Sequence, residues 1–422
     1  MLLMLLFLLY LISWKYPIES NFYSNLTVGL DNRVYVATDR GNIYAINSDG
    51  SLYWQYKILN GIYFSPTIGL DRTVYVGTDG GILYALTPKG KFRWCKKTGL
   101  RITSPVVVNQ NAIYVIADYC WLYSLGLDGA YKWSHWIYGS VSNSPALGIN
   151  GRIYLSSDEG WLYVFNPNGS LNWECKLDAR ILTTPAVSCN GSVYVGTNRG
   201  FLYAIGLHGK TIWQYQIGHN KTSAPVLGPE GMIYIGSDNG ELCAISQNGK
   251  LCFKVQTGFW SYGAPIVEAK RIIYGKPPLV NILDPQGFLI DIVFLYTPEE
   301  VLSLKVNGDR FYAGSTHYLW AFGASDTLLP DSMLIPTVNE APDRMKLQIS
   351  GDDITYELLE PGKITIKVYD IIGRVVKVLW EGEKQRGHYR FFLNTVSLPK
   401  GLYFLLLENA NYRITKKLVI LK

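Results

Sequence analysis

The chain repeats itself about every forty residues, and that period limits its fold more than any other feature. Ser65-Pro66, Ser104-Pro105, Ser144-Pro145, Thr184-Pro185, Ala224-Pro225 and Ala264-Pro265 recur at steps of 39 or 40 residues. Tyr35, Tyr75, Tyr114, Tyr154, Tyr194, Tyr234 and Tyr274 keep the same step. So do Trp54, Trp94, Trp133, Trp173 and Trp213, with Phe253 in the sixth place, and Gly50, Gly90, Gly129, Gly169, Gly209 and Gly249. A unit this short cannot bury its apolar side chains alone and must stack on its neighbours.

Each unit reads as four short strands. Between residues 64 and 98 they are Pro66–Gly69, Thr73–Gly77, Ile82–Leu86 and Phe92–Lys96, joined by polar or Gly-rich turns. Alternation along Val74-Tyr75-Val76 is weak, as in strands covered on both faces. Four antiparallel strands per ~40–45 residues predict a propeller blade. Six full units begin near residues 24, 64, 103, 143, 183 and 223, and a degenerate seventh keeps Tyr274 and Asp284-Pro285-Gln286-Gly287. An eighth, from Val301, stops after three strands. Trp14 precedes Trp54 by one period, so the N-terminal strand is expected to supply the fourth. The expected ring is an all-β, eight-bladed propeller. Asp39, Asp79, Asp158 and Asp238, each with Gly two residues on, suggest calcium, but hairpin turn chemistry accounts for them.

The repeat resembles the quinoprotein-type propeller over about 315 residues. Its tryptophan-docking pattern is matched by Ala85 to Trp94, with Gly90-Lys91, and by Ala204 to Trp213, with Gly209-Lys210. The resemblance implies that Trp14, Trp54, Trp94, Trp133, Trp173 and Trp213 are structural, each packed into the next blade. Each is then a buried aromatic in an inter-blade contact, so Trp94→Ala or Trp173→Ala is expected to cost ~3–5 kcal/mol. Members of that superfamily are either dehydrogenases holding pyrroloquinoline quinone and calcium, or cofactor-free scaffolds of outer-membrane assembly. This chain has minimal blades and no adjacent cysteines among Cys95, Cys120, Cys175, Cys189, Cys243 and Cys252. No G-x-S-x-G, phosphate loop or paired-His motif occurs. The expectation is a non-enzymatic protein without quinone, calcium or other metal, with a quinone-dependent oxidoreductase as the alternative. Cys243 and Cys252 flank a turn, and both a disulfide and separate thiols remain open there.

The ends of the chain concern destination. Residues 1–12 are uninterrupted apolar residues, too few for a bilayer span and suited to a secretory signal, with removal expected near Ser13. Residues 14–326 form the ring and 327–344, with three prolines, a linker. Residues 345–422 form a small β-sandwich, in which Lys363 to Tyr369 alternate as a half-buried strand does. This last segment resembles the Ig-like C-terminal sorting domain of type IX secretion cargo. The likeness is carried by Ile366 to Val376 with Gly373, by Gly401-Leu402-Tyr403-Phe404, and by Lys416-Lys417 through Lys422. It implies export by the type IX machinery, through the periplasm, to the surface of a Gram-negative-type bacterium or beyond. A periplasmic assembly scaffold is the remaining alternative.

The loops between blades precede each Ser/Thr/Ala-Pro step, and there the repeat stops repeating. Residues released from packing are free to bind. Tyr63, Arg101, Arg180, Lys221, Trp260 and Tyr262 would give a rim of cations and aromatics suited to an acidic peptide or a sugar. A net charge of +6 without a dense basic face argues against a nucleic-acid partner. A monomer is expected.

Overall fold

The period is realised as stacked sheets. A computed structural model describes residues 11–19, 26–256, 263–268, 271–276, 279–294, 301–323, 345–350, 353–370, 375–392, 401–409 and 413–420. The chain divides into two units, Met1–Asp326 and Thr327–Lys422. In the first, eight four-stranded antiparallel sheets follow one another. The second blade is typical: Thr67–Ile68, Val74–Gly77, Ile82–Leu86 and Phe92–Lys97, hydrogen-bonded in that order. The first strands of neighbouring blades pack against one another, and the Thr67 hydroxyl donates to the Val106 carbonyl of the next blade at 2.6 Å.

One cross-sheet row explains three of the repeating positions. Tyr75 pairs with Ala85, and Ala85 pairs with Trp94. The small central residue lets the outer rings meet, with centroids 6.0 Å apart. The same row is Tyr35–Ala45–Trp54, Tyr114–Ser124–Trp133, Tyr194–Ala204–Trp213 and Tyr234–Ala244–Phe253. In the seventh blade it has decayed to Tyr274–Asn281–Ile292. In the eighth it is Tyr312–Ala321–Trp14, assembled from both ends of the unit.

Each Trp then reaches the following blade. The Trp54 indole N–H donates to the Pro88 carbonyl at 3.0 Å, Trp94 to Leu127 at 3.1 Å and Trp213 to Gln247 at 2.8 Å. The indole lies on the glycine that closes the receiving turn. Gly90 has a φ of 74°, and a Cβ there would stand 2.5 Å from the Trp54 ring. Glycine is therefore required twice over, for the backbone conformation and for the contact. Trp173 sits on Gly209 and Phe253 on Gly287 in the same way.

The ring closes through its termini. Leu11–Pro17 pairs with Tyr318–Gly323 to complete the eighth sheet, and Trp14 donates to Ser48 of the first blade at 2.9 Å. Asn307 donates to Asn32 across the same seam at 3.0 Å. Residues 1–10 and the expected linker lie outside the described residues, whereas Leu11 and Ile12, which the expected cut near Ser13 would remove, pair with Gly323 and Phe322 in the closing strand.

One expectation needs correction, and one open alternative is decided. The Trp side chains are half-buried, because their outer edges stay open at the rim, whereas Tyr35 and Tyr75 are fully enclosed. Cys243 and Cys252 do not face each other. Cys243 pairs with Lys254, and a bulge between the Ala244–Phe253 and Ile245–Leu251 pairs carries Cys252 out of register. Both thiols are free, one buried and one exposed.

The second unit holds a three-stranded sheet, in the order Met345–Ser350, Asp353–Leu358 and Gly387–Phe392. Its four-stranded sheet runs Val375–Lys384, Gly362–Asp370, Gly401–Asn409 and Arg413–Ile420. Ile354 and Tyr356 from one sheet share a core with Ile364, Ile366, Val368, Leu405 and Leu407 from the other. In the strand at 345–350, Met345, Leu347 and Ile349 alternate with polar residues.

From this geometry, Trp94→Ala is expected to cost about 2–3 kcal/mol, less than a fully buried aromatic, and Tyr75→Ala about 3–5 kcal/mol. Urea midpoints of the two variants should fall in that order. Gly90→Ala should lower stability by at least about 2 kcal/mol, since the methyl must displace an indole at an unfavourable φ.

Candidate functional site

One face of the ring carries the turns between second and third strands together with the blade-to-blade connections. The turns are Thr38–Gly41, Thr78–Gly81, Ser157–Gly160, Thr197–Gly200 and Ser237–Gly240, each ending on a glycine with positive φ. The first carbonyl of the turn also receives the connection: Ile62 N–H donates to Thr38 O at 3.1 Å, Ile102 to Thr78 at 3.0 Å and Thr222 to Thr197 at 3.3 Å. Ile62, Ile102, Val141, Ile181 and Thr222 are thereby buried, none more than 1% exposed.

This corrects the expectation that the connections are released from packing. Counted from the prolines, the series runs Ile62, Arg101, Val141, Ile181 and Lys221, which looks like drift. In space Ile102 and Thr222 take the inward place, one residue later, and Arg101 and Lys221 are displaced towards the rim. A one-residue shift in the connection had concealed a conserved packing requirement.

Three turn carboxylates and one turn amide serve these connections. The Asp118 carboxylate accepts the Leu100 and Arg101 N–H groups at 3.1 and 2.8 Å. Asn198 accepts Arg180 N–H at 3.1 Å, and Asp158 accepts the Ser142 hydroxyl at 2.8 Å. Asp238 accepts the Asn220 amide at 2.7 Å. Among the described residues, no group of three His, Cys, Asp or Glu side chains is placed to hold a metal ion.

Two of the expected rim residues come together. The Arg101 guanidinium lies over the Tyr63 ring, 5.6 Å from its centroid. Arg180 turns to Asp158 at 3.8 Å, with more than half of its side chain exposed. Lys221 is half-buried, and Trp260 and Tyr262 lie outside the described residues. Arg180 also lines a cleft of ≈ 270 Å³ between the fourth and fifth blades, with Lys176, Arg199, Glu159, Asp178 and Asn198. Arg199 and Lys176 escaped the sequence reading because they lie in a turn and at a strand end, not in a connection. Tyr203 donates to Asp178 at 2.9 Å, and burial, then that carboxylate, push its pKa up to about 12. Burial alone raises the Cys175 thiol to about 11.

In the sorting set, Tyr403 is buried in the sandwich core. Gly401 opens its strand, paired with Ile420, and Lys416 and Lys417 pair with Leu405 and Phe404. Gly373 and Lys422 lie outside the described residues.

A known family model, described as outer membrane protein assembly factor BamB, matches residues 12–94, 121–226 and 198–277. The chain belongs to that family of quinoprotein-like propellers. A second model, the secretion system C-terminal sorting domain, matches residues 342–421. That domain marks the protein as type IX secretion cargo of a Gram-negative bacterium, exported to the cell surface or released, and so handled by that machinery. Among solved structures, BamB from Moraxella catarrhalis is 18% identical, with a TM-score of 0.60, over 75% of this chain and all of its own. The computationally designed Ika8 protein is 14% identical, with a TM-score of 0.64, over 75% of this chain and 99% of its own. The C-terminal WD40 domain of Sif2 is 11% identical, with a TM-score of 0.65, over 76% of this chain and 99% of its own. Likeness at this level concerns the fold alone. No curated protein matches the chain.

Tyr35, Tyr163 and Tyr203 all have pKa values raised to about 12, burial being the largest cause in each. Above pH ~10 the unfolded chain loses these protons while the folded ring keeps them. Their contribution to stability is therefore complete below pH ~10 and is lost as pH rises to about 12. Urea midpoints should fall across that window, and Tyr35→Phe should flatten the fall.

Proposed function

We propose that the ring is a non-catalytic binding or scaffold module, displayed or released by way of its sorting domain, with the connection face as its recognition surface. The observation that carries this is the grouping of exposed cations with an aromatic ring on one face: Arg101 over Tyr63, and Arg180 with Arg199 around one cleft. Such a face suits an acidic polypeptide or an acidic glycan. The turn carboxylates are engaged by connection N–H and side-chain donors rather than gathered around a centre, which favours recognition over quinone chemistry.

The test is binding of poly-glutamate to the full chain at low and physiological salt. Replacing Arg101, Arg180 and Lys221 together by Ala should weaken binding about tenfold, each of the three cations contributing under ~1 kcal/mol. The melting temperature should stay unchanged. Unchanged binding with an intact fold would remove this face. Dye reduction by chain supplied with pyrroloquinoline quinone and calcium would overturn the non-catalytic reading.

A further inference from the structure

The third blade departs from the other blades at the connection face, and the departure is aromatic. Where the fourth strand ends, other blades carry Lys57, Lys97, Lys176 and Gln256, each donating to a carbonyl of its own blade's turn. The third blade has Trp136 there, 57% exposed, directly opposite Trp121, 36% exposed, in the adjoining strand. Two residues on, where Gly99, Asp178 and Gly218 stand in other connections, is Tyr138, 56% exposed.

The turn differs too. The third blade turns through Asp118 and Tyr119, with φ of 53° and 64°, whereas the turns of five other blades rely on glycine. A bulky residue in that conformation is costly and persists only when its surroundings hold it. They do: Asp118 is fixed by the Leu100 and Arg101 amides, Tyr119 N–H donates to Thr103 Oγ1 at 3.2 Å, and Val141 N–H donates to Tyr119 O at 2.6 Å. The Tyr119 side chain is held outward, 44% exposed.

These rings are supported from beneath. Trp136 meets Tyr138 edge-on at 6.1 Å between centroids, and Tyr138 meets Trp161 of the fourth blade at 6.5 Å. Trp161 stacks on Tyr163 at 5.9 Å, and the Tyr163 hydroxyl donates to the Tyr138 carbonyl at 3.4 Å. Anchored Trp and Tyr rings offer contact area at little cost in conformational entropy. The charges at the border balance: Lys176 Nζ stands 5.4 Å from the Trp161 centroid, and Glu159 packs against the glycine that follows Tyr138. Neither an anion nor a cation is favoured by that pairing. An uncharged polyhydroxyl chain is favoured, because its C–H faces lie flat on aromatic rings while its hydroxyls bond to N–H, O–H and charged groups at the edges.

We propose that Tyr119, Trp121, Trp136 and Tyr138 form a platform that binds a neutral polysaccharide. This rests on the reading of the ring as a binding module and gives it a second ligand class beside the cationic cleft.

Affinity electrophoresis of the full chain in gels containing xylan, mannan, laminarin or hydroxyethylcellulose tests it, with alginate as the acidic control. At least one neutral gel should retard the protein. Trp136→Ala combined with Tyr138→Ala should lose about tenfold or more in affinity at an unchanged melting temperature. Tyr131→Ala, equally exposed at the other end of the same strand, should bind as the parent chain does. Retardation by none of the neutral gels, by alginate alone, or undiminished in the double variant would overturn the platform. If poly-glutamate binding that depends on Arg101, Arg180 and Lys221 survives such a result, only the platform falls. Retardation by a neutral gel without poly-glutamate binding removes the cationic face instead.

Discussion

The seat of each tryptophan on the glycine turn of the next blade is the contact on which the ring depends. It couples a side chain in one repeat to a backbone conformation in the following one. Neither partner can change alone, since the turn needs a positive φ and the indole needs a surface without a Cβ. Within the blade the same indole rests against an enclosed Tyr across a small residue, as Tyr75–Ala85–Trp94 shows. A chain of such contacts from Trp14 to Phe253 makes the blades one cooperative body, as nearest-neighbour stacking requires. Where the row decays, at Asn281 and Ile292, the repeat is also weakest in sequence.

Closure follows from the same contact. A ring of stacked sheets leaves two exposed ends unless the first and last blades meet, and an open sheet edge invites pairing with other chains. Here the last sheet borrows Leu11–Pro17, and Trp14 both completes the Tyr312–Ala321 row and caps the turn of the first blade. The ring cannot unravel from one terminus without losing backbone pairs and an indole seat together.

The repeat was legible because packing forces residue identity: Tyr, Trp, Gly and Pro at fixed steps gave the blade, the count of eight and the closing strand. The sorting domain was legible in the same way, from alternation in Lys363–Tyr369 and from its terminal motifs. The connection face was read less well. Aligned on the prolines, Arg101 and Lys221 fell at positions held by Ile62, Val141 and Ile181. Burial shows that Ile102 and Thr222 are the true counterparts. The period alone could not reveal a one-residue shift, because side-chain direction at a bend is set by the hydrogen bond to the turn carbonyl and not by spacing. The aromatic group of the third blade was missed for a related reason: Tyr119, Trp121, Trp136 and Tyr138 are scattered over 20 residues and look like ordinary strand residues.

Sequence by itself determined the architecture, the number of blades, the manner of closure and the destination of the chain. Each depends on local patterns that recur or on motifs contiguous along the backbone. Tertiary structure alone decided which residues share a surface. It placed Arg101 on Tyr63, gathered Arg180, Arg199 and Lys176 about one cleft, and set Trp136 opposite Trp121 beside Tyr138. Those groupings arise from strand register and from turns in neighbouring blades. They are distances across the sheet, which no spacing along the chain encodes.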